Sequence, residues 1–442
     1  MTSIEMYEIA LKLYYANKIQ EAKEAFIYCL QVDAKFFHAK FMLGNIFLQE
    51  NNYKEAIVSY KQAIQLNPSF TLTYNNLASI FTKFSKHKKA LKYLNKALKQ
   101  NINCTQTLYN LANYYKGFYK LKKSKAYLKK IIEIDSSFTL AHFDLSYIYF
   151  IEKKYEKAFC HFEYRVKLKD QQHKYNYLPF KIWEKQDIKK KSLLIYHEQG
   201  FGDNIQFSRY LNNKKLNDTN VSYAIQNSLN KLFSYSFPKI TFLSEVQSNM
   251  PFDYTIPIMS LAHQFQMSTI KKEKKYLKVR KYEVRKFKKE NLTKRKFNIG
   301  LVWKGSQTQT GDTKRSLVLS NFITLLKDKH LKFYSLQIDN KEELDNFKEV
   351  KDLGKNFCDF YDTAVAIEAL DLVISVDTAV AHLCGALGKT CFVLHNQNVV
   401  DFRWDHNNSQ SLWYKSIKIF KYDLIDGIQK KLHRNIIALS KG

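Results

Sequence analysis

The sequence predicts an α-solenoid of five helix–turn–helix repeats followed by an α/β region of two lobes. Three observations predict it. Alanine recurs at one constant spacing at Ala22, Ala56, Ala90 and Ala158, interrupted only by Ser124. That period stops after Arg165. Short apolar runs then alternate with polar loops and helical patterns, which is how parallel sheets read in sequence.

The repeat columns come first. Ala10, Gly44, Ala78, Ala112 and Ser146 form a small-residue column. Leu13, Phe47, Phe81, Tyr115 and Tyr149 form a large one, as do Phe26, Tyr60, Leu94, Leu128 and Phe162. Small residues let two helices approach, and large ones fill the groove between them. A period of 34 with this pattern resembles the tetratricopeptide repeat. Pro68, after Asn67, stands where that family often ends a helix. The array is expected over residues 1–168, and its residues are packing positions that carry no chemistry. Stacked repeats give an extended concave face that binds segments of other proteins. The array therefore predicts a protein partner and no reaction.

Composition sets the limits. A chain of 442 residues has room for two or three domains, and 45% hydrophobic content supports large cores. No window holds 18 or more apolar residues, and the N-terminus lacks a basic region followed by an apolar core, so neither a membrane span nor a signal peptide is expected. The six cysteines show no CxxC pair and no metal-ligand spacing. Reduced thiols in a cytoplasm are the simplest account. A formal charge of +30 suits an anionic partner, but it is mostly lysine spread along the chain, as a biased composition also gives. The densest run, 271–296, has two readings: solvated surface or linker, or a patch touching an acidic membrane or nucleic acid. No nucleic-acid motif accompanies it, so nucleic acid is not an expected partner.

Beyond the array, Asp170 to Pro179 reads as a connector, placed within 169–190. Ser192–Tyr196 is a strand, followed by the loop His197–Asp203 and a helix. Phe297–Trp303 and Leu331–Leu336 are further strands. A helix runs from Asp362, its cap, to Leu370. Leu372–Val376 is a buried strand. Asp377 and Thr378 then cap the helix Ala379–Leu387, which Gly388 stops, and Thr390–Leu394 is the next strand. The lobes are expected over 191–296 and 297–442.

Ligands of open α/β sheets sit beyond the carboxyl ends of the strands. Three loops there are candidates. In the first, Gly200 and Gly202 leave room for a ligand beside Gln199. Asp203 is there either a helix cap paired with Gln206 or a general base. In the second, Lys304 and Lys314-Arg315 are either surface cations or diphosphate ligands. In the third, the helix N-terminus at Asp377-Thr378 favours a phosphate, and His382 is either packed or part of that site.

Three stretches together, His197–Tyr210, Asn298–Gly305 and Asp371–Gly388, resemble bacterial glycosyltransferases of the heptosyltransferase-like family, in the variant with N-terminal tetratricopeptide repeats. Arg403-Trp404 and Ser411–Tyr414 look like that family's C-terminal tryptophan segment. The resemblance covers residues 190–425. It implies a GT-B fold of two Rossmann-like lobes, an acceptor side and a nucleotide-sugar side. Asp203 is similar in position to the family's proposed general base. Asp377, Thr378 and His382 match its donor-phosphate motif, and Lys304 a cation near the diphosphate. Ala379 stands where heptosyltransferases usually have glycine, which counts against ADP-heptose as donor, and the first lobe is short. The resemblance implies sugar transfer from a nucleotide sugar to an acceptor hydroxyl, without a cofactor. No DxD-like site is evident, so metal independence is expected. A protein held by the repeats, flagellin-type or another surface protein by analogy, is the leading acceptor. A glycan or lipid-linked saccharide is the alternative, and a repeat scaffold with a degenerate transferase region is the non-enzymatic one.

Overall fold

The computed structural model describes residues 1–168, 178–270, 275–305, 315–338, 341–397, 399, 401–404, 409–422 and 428–441. Most of the expected connector (170–177), the start of the basic run (271–274), and Ser306 and Lys314 of the second loop lie outside the described residues. The chain forms two compact units, Met1–Leu145 and Ser146–Gly442.

The first unit is a row of helix hairpins. They pair α1 (Ser3–Tyr15) with α2 (Ile19–Val32), α3 (Phe37–Gln49) with α4 (Tyr53–Leu66), α5 (Thr71–Lys83) with α6 (His87–Gln100), and α7 (Thr105–Gly117) with α8 (Leu121–Ile134). A fifth hairpin, α9 (Thr139–Ile151) and α10 (Tyr155–Phe162), starts there and ends in the second unit. The expected columns are its core: Ala10, Ala22, Ala56, Ala90 and Phe26 are fully buried. Gly44 shows why the small column is small, because a Cβ there would lie 2.5 Å from the Tyr60 ring. One column escaped the sequence reading. Asn17, Asn51, Ser85, Tyr119 and Lys153, spaced at the same period, take positive φ of 54–60° and reverse the chain inside each hairpin. Asparagine tolerates that region better than most residues, so only the first two carry a visible signal.

The compact units divide inside α9, not at residue 168. Phe150, Phe159 and Phe162 explain this. All three are buried, and Phe150 stacks on Phe402 at 4.4 Å while Phe162 faces Phe207 at 6.4 Å. The fifth hairpin fits the repeat in sequence, but its outer half belongs to the second core.

That unit holds two all-parallel sheets. The first contains β1 (Lys181–Ile182), β2 (Ser192–Tyr196), β3 (Asn220–Ala224), β4 (Thr241–Leu243) and β5 (Tyr254–Pro257), in the order β1-β5-β2-β3-β4. Its helices are α11 (Phe201–Phe207), α12 (Asn227–Ser236) and α13 (Leu261–Gln264). β1 lies within the stretch expected as connector, and Trp183 and Ile188 there are buried. Next comes α14 (Lys281–Asn291). The second sheet contains β6 (Phe297–Val302), β7 (Leu331–Ser335), β8 (Val350–Asp352), β9 (Leu372–Val376), β10 (Cys391–Asn396) and β11 (Ile417–Tyr422), in the order β11-β10-β9-β6-β7-β8. With it go α15 (Ile323–Leu326), α16 (Lys341–Leu344), α17 (Phe360–Ala369), α18 (Ala379–Leu387) and α19 (Ile428–Ser440). One core runs through Ile299, Leu301, Leu372, Ile374, Phe392 and Phe420. Strands buried on both faces read as continuous apolar runs, which is why β9 was visible in sequence to the residue.

One local expectation needs correction. Asp359, not Asp362, caps α17, its carboxylate accepting from the N–H groups of Tyr361 and Asp362. The basic stretch is mostly exposed surface over its described residues, with an anchored start. Tyr276, Leu277 and Val279 are buried, Tyr276 N–H donates to the Ala386 carbonyl, and Lys275 pairs with Glu368.

Candidate functional site

Two short connections build the site. β2 ends at Tyr196, and a polar turn leads into α11. Gln199 takes a positive φ of 57°, and its carbonyl accepts from the Gln226 side chain. Gly200 is the N-cap, in ordinary extended conformation. Asp203 is therefore in the first turn of α11 and not its cap, and Gln206 makes no capping box with it. In the second lobe β9 ends at Val376, Asp377 follows, and Thr378 is the N-cap of α18. The Thr378 hydroxyl makes no cap bond. It meets Ser375 Oγ at 3.0 Å.

α11 and α18 pack directly on each other. The helix contact itself requires a small Gly202: a Cβ there would lie 2.9 Å from His382 Cδ2. His382 is buried, its Nδ1 lies 2.9 Å from the Tyr414 hydroxyl, and its ring is 5.1 Å from Trp404. Burial, then the charges of Arg403 and Arg209, push its pKa well below the usual imidazole range. His382 is thus a neutral packing group between the helices.

Arg403, in the loop after β10, is the node of the site. It pairs with Asp203 Oδ1, meets Asp401 Oδ2 at 3.1 Å, and donates from Nε to Gln206 Oε1 at 3.2 Å. Burial opposes its charge, but Asp203 and Asp401 outweigh that and keep the guanidinium charged. Tyr147 and Asp377 feel the same charge. Burial and then Asp401 push Asp377 up to about 6, against Arg403 and Arg315. Trp404 Nε1 is buried without an acceptor; it lies near enough to Asp377 to favour its ionised form, but outside hydrogen-bond geometry. Gln206 Nε2 is a second buried donor with no acceptor.

Arg209 braces the cluster from behind. Its Nη1 donates to the Trp413 carbonyl at 3.0 Å, its Nη2 to Tyr276 at 3.3 Å, and it lies 4.8 Å from the Tyr414 ring centre. The structure therefore gathers Asp203, Asp377 and His382 around Arg403, with Arg315 within electrostatic reach of Asp377. Lys304 is not gathered with them. Its ammonium pairs with Glu343 at 2.6 Å, and Glu343 also accepts from Trp303 Nε1 and Leu319 N–H. A separate cavity of about 380 Å³, lined by Lys231, Glu283, Phe287 and Tyr361, holds none of these residues. It is an open surface hollow, and the chemistry-bearing groups point to the Arg403 cluster instead. Among the described residues no group of three or more His, Cys, Asp or Glu could hold a metal ion.

Sequence reasoning missed Arg209, Asp401 and Arg403 as site residues. A signal was present: only eight of the 71 basic residues are arginine. A chain that uses lysine by default spends arginine where a planar, multiply donating cation is needed.

Comparison with known proteins fixes the first part of the chain. Residues 44–83 match the family model described as TPR repeat, and residues 72–101 and 105–138 match that described as Tetratricopeptide repeat. The helical array is built of tetratricopeptide repeats. Protein FlbA of Caulobacter vibrioides is 25% identical over 276 residues, which is 55% of this chain and 45% of that one. The chain thus spans less than half the length of that curated relative. Among solved structures, MamA is 20% identical, covering 36% of this chain and 93% of its own at a TM-score of 0.32. YrrB, described as a TPR protein with an unusual peptide-binding site, is 20% identical, covering 38% and 88% at 0.31. No helix among the described residues is long and apolar enough to cross a membrane.

Proposed function

We propose that this chain is a glycosyltransferase of GT-B type that moves a sugar from a nucleotide sugar to an acceptor hydroxyl, with a protein acceptor held by the tetratricopeptide repeats. One observation carries the reading. A carboxylate from the first sheet's helix, Asp203, and one at the N-terminus of the second sheet's helix, Asp377, share the Arg403 cation, and the buried donors Gln206 Nε2 and Trp404 Nε1 beside it lack acceptors. An acceptor-rich anion such as a diphosphate satisfies such donors, and the N-terminus of α18 favours it.

Asp203 then takes the acceptor proton, the acceptor oxygen bonds to the anomeric carbon, and the bond to the nucleoside diphosphate breaks. Arg315, Arg403 and the α18 N–H groups stabilise the departing phosphate. Lys304, held by Glu343, is left out of that role. Because Arg403 occupies Asp203 Oδ1, the base acts through its other oxygen or after Arg403 turns to the donor.

A thermal-shift panel of nucleotides and nucleotide sugars is the test. The cognate donor at about 100 times its Kd stabilises the fold by about 2.7 kcal/mol. With that donor, Asp203→Asn lowers turnover by ~10²–10⁴ and keeps the shift. A panel in which no nucleotide stabilises the protein would sink the transferase reading. Normal turnover by the variant would sink only the base assignment.

A further inference from the structure

From Ala56 to Ile132 the chain has no Asp or Glu, and it has fifteen lysines there. A lysine-rich composition adds cations but does not remove acids. With 41 acidic residues in 442, an acid-free stretch longer than two repeats needs another cause.

The structure gathers this charge on one face. Lys88, Lys89, Lys92, Lys96 and Lys99 are exposed on α6. At 3.6 residues per turn they fall within about 100° of its circumference. On α8, one repeat later, Lys122, Lys123 and Lys130 stand at the positions equivalent to Lys88, Lys89 and Lys96. None of these eight lysines is in an ion pair among the described residues. The helix ends carry the same pattern. α2, α4 and α10 have Glu21, Glu55 and Glu156 in their first turns, where the helix dipole favours an acid, but α6 and α8 have none. Lys89 and Lys123 replace the glutamate column of Glu21 and Glu55. Local helix stability is forgone there to keep the face positive.

Two further features narrow the partner. Phe84 and Phe118, in the turns entering α6 and α8, are 47% and 44% exposed and sit beside Lys86 and Lys120. No arginine precedes Arg165 in the chain, so the face offers point charges and no planar fork for reading single phosphates or bases. Lysines over a broad helical face, with aromatic rings at one edge, match a charged lipid surface, where long cationic side chains reach the headgroups and aromatics the interface.

We propose that the α6–α8 face docks on an anionic lipid bilayer, its lysines in the headgroup layer and Phe84 and Phe118 at the boundary. This surface is separate from the basic stretch 271–296, where a membrane contact was expected. It does not rest on the transferase reading.

The test is flotation of the full chain with phosphatidylcholine vesicles, with and without about 30% phosphatidylglycerol. The protein floats with the anionic vesicles alone, and less so in high salt. Reversing Lys88, Lys89, Lys122 and Lys123 to Glu lowers partitioning by roughly a hundredfold or more, at about fivefold per lysine. A control reversing Lys214, Lys215, Lys239 and Lys329, with the same change in net charge, loses much less. Phe84→Ser with Phe118→Ser weakens binding without altering charge, which keeps the proposal testable should the reversed protein fold poorly. Equal flotation with neutral vesicles, or an equal loss in the control, overturns it. Binding of polyglutamate or single-stranded DNA through these lysines while the vesicles float alone also overturns it.

Discussion

Asp377 shows how a single carboxyl couples the site to solution conditions. Its pKa in the fold is pushed up to about 6, above its ordinary value of 3.8, by burial and by Asp401. Between those values the unfolded chain has released this proton and the folded chain still holds it, so stability falls as pH rises through the window. The cost is absent below pH 4 and complete above pH 6. Asp377→Asn removes it and is expected to stabilise the protein at pH 7 by about 1–3 kcal/mol, discounted because the side chain keeps some solvent contact. Urea unfolding of both proteins at pH 4, 5, 6 and 7 checks this. The stability difference grows across the series, and a flat difference would show that Asp377 is ionised throughout. The glycines make the complementary point. Gly202 was visible in sequence as a residue without a side chain, and a ligand was the obvious reason. The structure adds a second reason, an imidazole from another lobe 2.9 Å from where a Cβ would stand. Gly202 and His382 lie far apart in the chain, and no local pattern encodes their contact.

At the scale of elements, the turn between β2 and α11 is held from outside its own lobe. Arg165, in the short 3₁₀ turn after α10, is fully buried. It grips Glu198 with two bonds of 3.0 and 2.7 Å and donates to Ser260 Oγ at 2.8 Å. Glu198 also accepts from Met259 N–H and lies just before the Gln199–Asp203 turn. Burial raises the Glu198 pKa, and Arg165 opposes the rise. Losing one partner leaves a buried charge alone. Arg165→Met is therefore expected to cost about 3–5 kcal/mol, whereas the double variant with Glu198→Gln recovers part of that loss. Equilibrium urea unfolding of the two singles and the double closes the cycle, and strict additivity would mean that the pair does not couple. Neither residue stood out in sequence. Arg165 was read as the point where the repeats fade, because it follows a helix that still obeys the repeat period. Its signal was chemical and not periodic: it is the first arginine of the chain, after a repeat array whose basic side chains are all lysine or histidine.

For the whole molecule, sequence legibility followed the physics of each signal. Helix periods and doubly buried strands are local and repeated, so the hairpins and β9 could be read closely. Strands such as β3 and β11 mix polar and apolar residues and were not read at all. Asp203 and Asp377 were legible as candidates because strand–turn–helix grammar marks the residues that open α11 and α18. Arg403 sits in an irregular loop with no period, and Lys304 looked available only because Glu343 is distant in sequence. The same distinction decides where the chain can be cut. Residue 168 closes the repeat pattern, yet Phe150, Phe159 and Phe162 are buried in the second compact unit. A fragment of residues 1–168 therefore exposes three large aromatic side chains and strips Arg165 of Glu198 and Ser260, leaving it Glu163 alone, whereas residues 1–136 end after a complete hairpin. Size-exclusion chromatography and circular dichroism are expected to show the shorter fragment as a helical monomer and the longer one as self-associating. Each buried phenylalanine left in water forgoes roughly 1.5–3 kcal/mol, a large share of the stability of so small a domain. Two equally monomeric fragments would mean that the fifth hairpin closes its own core, and that the repeat period, not the compact unit, marks the true boundary.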